Sequence, residues 1–110
     1  MKFFDYNQNN SGGVDCGYKY VIVEAVDHKD ADERVLISNE VDVYFDGCRD
    51  GKDCPCCGDR WSRQWSDIGT NEPSIFGQNV VVEDDEYAGT FAIILFANGS
   101  VKYSRKLVGY

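Results

Sequence analysis

A chain of 110 residues with 43% hydrophobic and 14% aromatic side chains carries enough apolar material for one folded domain, which excludes a disordered chain. Nineteen acidic against eleven basic residues give a formal charge of −8, a field that disfavours nucleic-acid and anionic-membrane binding and suits a basic protein partner or simple solubility. No apolar run approaches membrane-spanning length and the first residues (Met-Lys-Phe-Phe-Asp-Tyr) lack an apolar signal core, so a cytosolic protein with reduced thiols is expected.

Residues 2–6 (Lys-Phe-Phe-Asp-Tyr) read as a short aromatic strand. The run Asn7-Gln8-Asn9-Asn10-Ser11-Gly12-Gly13 is a loop by composition. Its amides can pair with base edges, ribose or peptide groups; the plainer reading is a surface turn. Residues 18–26 form the clearest early strand, apolar on both faces in its middle and therefore central in a sheet. Asp30 followed by Glu33 resembles a capping box, which predicts a helix over about residues 31–39 with Ala31, Val35 and Leu36 inward. Val35–Ile37 also fits a strand.

Val41-Asp-Val-Tyr-Phe45 alternates as a strand would and leads into the cysteines. Residues 62–74 are polar and read as a surface loop, and Val80–Val82 as a short β-branched run before the acidic break Glu83–Glu86. Residues 90–97 form the most apolar segment, a buried strand. Asn98-Gly99 is a strong hairpin signal, and Val101–Leu107 alternates as a strand with one wet face. The expected architecture is one α+β domain over residues 1–110: an antiparallel sheet of about five or six strands, one packed helix and a cysteine-rich, zinc-stapled loop.

Four of the five cysteines lie between Asp46 and Trp61, and Cys54-Pro-Cys-Cys57-Gly58 has the form of a zinc knuckle. Cys48, Cys54, Cys56 and Cys57 make a candidate tetrathiolate zinc site. Adjacent Cys56 and Cys57 seldom share one ion comfortably, so Cys16 or His28 is an alternative fourth ligand beside Cys48, Cys54 and Cys57. In that case Cys56 becomes a reactive thiol candidate near Lys52, Arg60 and Arg63. Metal-free thiols packed as small apolar groups are the plain alternative. Arg60 and Trp61 are residue types enriched at binding hot spots; packing over the loop is the competing role for Trp61, and Trp65, in a polar context, reads as exposed. Nothing in the chain forms a nucleophile–base constellation, which leaves catalysis weakly supported.

Phe4–Gly13, Tyr20–Ala25, Ala31–Arg34, Tyr44–Cys48, Asp53-Cys-Pro-Cys-Cys-Gly-Asp-Arg-Trp61 and Pro73–Gly77 together make the sequence similar to a family of small proteins encoded by tailed bacteriophages. The resemblance includes Cys48, Cys54, Cys56 and Cys57 but not Cys16 or His28, which favours the clustered four as metal ligands. It implies origin more than mechanism. By analogy with that origin, the expected role is a non-enzymatic binding protein of the host cytoplasm, acting in host takeover or counter-defence. Asn7, Gln8, Asn9, Asn10, Ser11, Arg60 and Trp61 would hold a nucleotide-like signal or a host protein. Two other classes stand beside it: an acidic mimic of nucleic acid that occupies a host DNA-binding protein, and a small metal-dependent or thiol enzyme.

Overall fold

Two parallel strands form the centre of the molecule, β2 (Tyr20–Ala25) and β5 (Ala92–Leu95), in register from Tyr20 opposite Ala92 to Val23 opposite Leu95. The computed structural model describes residues 1–9, 18–56 and 58–109. Strand β1 (Lys2–Asn7) flanks β2 and β6 (Val101–Ser104) flanks β5, both antiparallel, giving the order β1-β2-β5-β6. A separate hairpin joins β3 (Ser74–Ile75) to β4 (Gln78–Asn79). One helix, α1 (His28–Ile37), completes the mixed α+β fold.

The all-antiparallel sheet expected from the sequence is therefore corrected to a four-stranded mixed sheet and a two-stranded hairpin. The pairing of β2 with β5 joins segments some seventy residues apart, and each strand is apolar on both faces, so periodicity carries no direction. Val21, Ile22 and Val23 are buried in succession, worth about 1.5–3 kcal/mol each.

Both faces of the sheet are covered. On one, Phe4, Tyr6, Val21, Val23, Ile93 and Leu95 meet Ala31 and Val35 of α1, together with Val43, Phe45 and Trp61. On the other, Phe3, Ile22, Ala92 and Ile94 meet Ile75 and Val80. The outer edges are partly closed. Phe3 exchanges backbone hydrogen bonds with Thr70 at 2.9 and 3.0 Å, and Tyr103 does so with Glu83 at 2.9 and 2.8 Å.

The helix begins three residues before its predicted start. Asp27, not Asp30, is the cap: its carboxylate accepts from the Asp30 N–H at 2.8 Å, while the Asp30 carboxylate reaches back to the Val26 N–H at 2.9 Å. Arg34 then pairs with Asp30 at 2.9 Å. Ala31 and Val35 face inward as expected, but Leu36 is 49% exposed. Residues 41–45 keep the predicted alternation, with Val43 and Phe45 buried, yet form no strand, since no strand among the described residues pairs with them. Val80–Val82 contributes isolated bridges, Val80 to Leu107 and the following Glu83 to Tyr103, in place of a strand. No helix of the described residues is long and apolar enough to cross a membrane.

Candidate functional site

From Ser38 to Gly69 the described residues form no helix and no strand, and aspartate side chains supply the structure that backbone ladders supply elsewhere. Asp53 is the hub. It is buried, accepts from the Tyr44 hydroxyl at 2.7 Å and the Arg60 N–H at 2.8 Å, and stands 3.9 Å from the Arg60 guanidinium. Burial and this carboxylate push the Tyr44 phenol above its ordinary range. Gly47 gives Asp53 its space: a Cβ there would lie 1.9 Å from an Asp53 carboxylate oxygen and 2.8 Å from the Tyr44 ring. The Gly47 carbonyl accepts from the N–H groups of Lys52 and Asp53 at 2.8 and 3.0 Å.

The cysteine turn hangs on this frame. The Cys48 N–H donates to Asp59 at 2.9 Å, and the Gly58 N–H to the Cys54 carbonyl at 3.2 Å. Gly58 has a positive φ of 81°, a backbone conformation that glycine adopts at little steric cost. Cys54 Sγ and Cys56 Sγ are 2.7 Å apart, and Cys48 Sγ lies 3.7 Å from the Cys54 carbonyl oxygen. Partial desolvation, with the Asp59 carboxylate beside it, pushes the Cys48 thiol up to about 11. Cys57 and Cys16 lie outside the described residues. Among the described residues no group of three or more His, Cys, Asp or Glu side chains is arranged to hold an ion. His28, the alternative fourth ligand, pairs instead with Asp67.

The Asn-rich stretch and Arg60, far apart in sequence, do meet. Arg60 donates to the Gln8 side-chain oxygen at 2.5 Å, and Gln8 in turn donates to the Tyr18 carbonyl at 2.8 Å. Gln8 is 4% exposed, so this contact locks the end of β1 to the cysteine loop. The Asn9 N–H continues the join, donating to the Arg60 carbonyl at 2.8 Å. Trp61 is 1% exposed and lies in the core, the packing role, where an outside ligand does not reach its ring. Asn10 and Ser11 lie outside the described residues.

Asn7 and Asn9 remain at the surface and line a cleft of about 210 Å³ along the outer side of β1, with Asp5, Gln64, Trp65 and Phe76. Trp65 is 90% exposed, as its polar context predicted. Phe76 is 71% exposed and sits at φ 50° beside Gly77 at φ 80°, the two central residues of the β3–β4 turn. This is the geometry of a two-residue type I′ turn, which favours Asn or Gly at both positions. A bulky residue there costs roughly 1–2 kcal/mol. Its N–H donates to the Asp5 carboxylate at 3.2 Å, and its ring stands edge-on to Tyr20 with centroids 6.1 Å apart. Asp5 is held above the ordinary carboxylate value by desolvation, which the Phe76 N–H partly offsets.

Arg63 also lines this cleft, but its charge is already engaged. Arg63 grips Asp46 with both terminal nitrogens, at 2.8 and 2.6 Å, and lies over the Phe45 ring. That grip holds the Asp46 carboxyl below its usual range. The cleft therefore offers amides and exposed aromatic faces more readily than an anion clamp. Sequence reasoning found Asn7, Asn9 and the exposed Trp65. It missed Asp5, Gln64 and Phe76, which only the folding of β3–β4 against β1 brings alongside; the sole local signal was an aromatic residue immediately before Gly77.

Fold and site define a mixed α+β protein with a cysteine turn braced by aspartates and, next to it, a cleft of amides and aromatics. The chain belongs to the family described as Domain of unknown function (DUF7296), whose model matches residues 1–108. No curated protein and no solved structure matches it.

Proposed function

We propose that this chain is a non-enzymatic binding protein that captures a planar, nucleotide-like molecule in the cleft beside β1. One observation carries the reading: Trp65 and Phe76 expose aromatic faces on a cleft also lined by the side-chain amides of Asn7, Asn9 and Gln64. Base–aromatic stacking contributes about 1–3 kcal/mol per base, and amides pair with base edges. Arg60 and Gln8 act from behind by holding Asn9, and Trp61 anchors that support in the core. The resemblance to tailed-bacteriophage proteins supports a setting in the host cytoplasm, where capturing such a signal would blunt a defence or aid takeover.

Zinc on Cys48, Cys54, Cys56 and Cys57 belongs to the same proposal, as a staple. The donors suit it in kind. Two thiolates at about 2.3 Å on a tetrahedral ion sit about 3.8 Å apart, so the Cys54 and Cys56 sulfurs must separate by about an ångström to take one. Bound zinc would supply loop-closing stability, and elemental analysis of protein purified without a chelating tag tests it. Below about a tenth of an equivalent the staple is refuted.

Tryptophan fluorescence tests the capture itself, because Trp65 is in water and Trp61 is not. A nucleotide that stacks in the cleft should quench the long-wavelength component, and Trp65→Ala should abolish the response while Trp61→Phe retains it. Absence of quenching and of thermal shift across cyclic, linear and ADP-ribose-type nucleotides would refute the small-molecule reading. Recovery of a host protein by the wild type but not by Trp65→Ala would then assign the cleft to a protein partner.

A further inference from the structure

We infer that a second site, at the opposite edge of the sheet, receives an organic cation of the alkylammonium class. A hollow of about 370 Å³ opens beside β6, lined by Tyr18, Tyr87 and Tyr103, by Glu40 and Glu86, and floored by Ile93. Three tyrosines with two carboxylates are the elements of an aromatic cage, in which ring quadrupoles and full negative charges attract one cation while the walls cover its alkyl body.

The charges around the hollow point the same way. Within the acidic run 83–86, Glu83 pairs with Arg105 at 3.0 Å and Asp84 pairs with Lys102. The carboxylates of Glu86 and Glu40 enter no ion pair or hydrogen bond among the described residues. Among the described residues no lysine or arginine lines the space. Tyr87 already serves a cation elsewhere, since the Arg105 guanidinium lies 4.5 Å from its ring centre. The frame is fixed before any ligand arrives. Thr90 Oγ1 donates to the Tyr87 carbonyl at 2.8 Å and accepts from the Tyr87 N–H at 3.0 Å, and Tyr103 is held by its backbone exchange with Glu83. The Asp42 N–H donates to the Tyr18 hydroxyl at 3.2 Å. Apolar Ile93 at the floor favours an alkyl body over a hydrated metal ion.

A free polyamine and a lysine of a basic protein both carry the ammonium group, and the two sources are distinguished in one titration series. The whole chain is titrated by calorimetry at physiological salt with the linear tetraamine spermine and, separately, with a lysine-rich peptide. Saturable binding of either supports the site. The tighter of the two assigns the source. The double variant Glu40→Gln, Glu86→Gln should weaken binding about tenfold or more, by removing two charge-assisted contacts. Tyr87→Leu should weaken it about two- to fivefold. The control Glu33→Gln, Glu72→Gln removes the same charge from exposed positions outside the hollow and should leave binding unchanged. Equal weakening in both double variants would overturn the proposal, because the net charge alone would then explain it. So would the absence of saturable binding by either probe.

Discussion

The sheet with its helix and the irregular segment 38–69 are held by different means. In the first, backbone ladders fix the strands and consecutive apolar residues such as Val21, Ile22 and Val23 supply the drive. In the second, carboxylates replace the ladder: Asp53 binds Tyr44 and Arg60, Asp59 binds Cys48, Asp46 binds Arg63, and Asp32 takes both the Tyr6 hydroxyl at 2.6 Å and the Gln64 N–H at 3.1 Å. Part of the acidity that dominates the composition is thus structural scaffolding. A negative net charge says nothing about a partner until these internal duties have been subtracted.

The comparison breaks if the irregular segment is a mere appendage, and Trp61 tests that with the largest expected effect. It belongs to the irregular segment but lies in the same apolar cluster as Val21 and Ile93. Trp61→Ala should cost about 3–5 kcal/mol in urea unfolding, as much as a core deletion in the sheet. Trp61→Phe should cost far less, because it keeps most of the buried area and removes an indole N–H that has no hydrogen-bond acceptor among the described residues. Trp65→Ala, by contrast, should stay within about 0.5 kcal/mol of wild type. A small effect of Trp61→Ala would show that the segment docks weakly.

Asp53→Ala probes the carboxylate scaffold itself. It leaves the Tyr44 hydroxyl and the Arg60 N–H without their shared acceptor and removes the carboxylate 3.9 Å from the Arg60 guanidinium, at an expected cost of about 3 kcal/mol. Hydrogen exchange should show the loss confined to residues 47–60, with the amides of β2 and β5 still protected. If protection fell uniformly instead, loop and sheet would be one cooperative unit and the contrast between them one of geometry only.

This division also explains what the sequence could tell. The strands β1, β2, β5 and β6 and the Asn98-Gly99 turn were legible because period and turn chemistry are local. The direction of the β2–β5 pairing was not, since both strands are apolar on each face. The helix start was misplaced because Asp27 and Asp30 are both plausible caps, and only the structure shows Asp30 bonding back to Val26. At the site, Asn7, Asn9 and Trp65 could be named from residue type. Phe76 and Asp5 could not, because their meeting depends on where a two-residue turn lands. Side-chain-to-backbone scaffolding has no period, so the Asp53 hub had no signature to find.

Phe76 sharpens the comparison from within the regular part, where a residue breaks its own turn's preference. Phe76→Asn relieves roughly 1–2 kcal/mol of left-handed strain. It also loses the edge-on pair with Tyr20, worth about 0.5–1.5 kcal/mol, so the net change should lie between about 0.5 kcal/mol of destabilisation and about 1.5 kcal/mol of stabilisation, centred on a small gain. Nucleotide quenching of Trp65 should weaken in the same variant. A more stable protein that binds less would mark the strain as kept for the cleft, whereas unchanged binding would remove Phe76 from the site.

The smallest effects come from two carboxylates of opposite sign, Asp5 in the cleft and Asp30 at the helix start. Asp30 is held below the ordinary 3.8, by the Val26 N–H first and then by Arg34, so its contribution is full above that value and fades as pH falls through its folded pKa. Asp5 is held above 3.8 by desolvation, so its ionisation opposes folding above its folded pKa, and the penalty vanishes as pH falls towards 3.8. Asp5→Asn should therefore stabilise at neutral pH by less than about 1 kcal/mol, with the gain gone below about pH 4. Asp30→Asn should destabilise at neutral pH by about 0.3–1 kcal/mol, discounted for exposure, and should converge on wild type in acid. Urea midpoints at about pH 7, 5 and 3 separate the two. If Asp5→Asn gained nothing at neutral pH, water would already solvate that carboxylate. The β1 cleft would then be an open flank of the sheet, and the recess a stacked base requires would be missing.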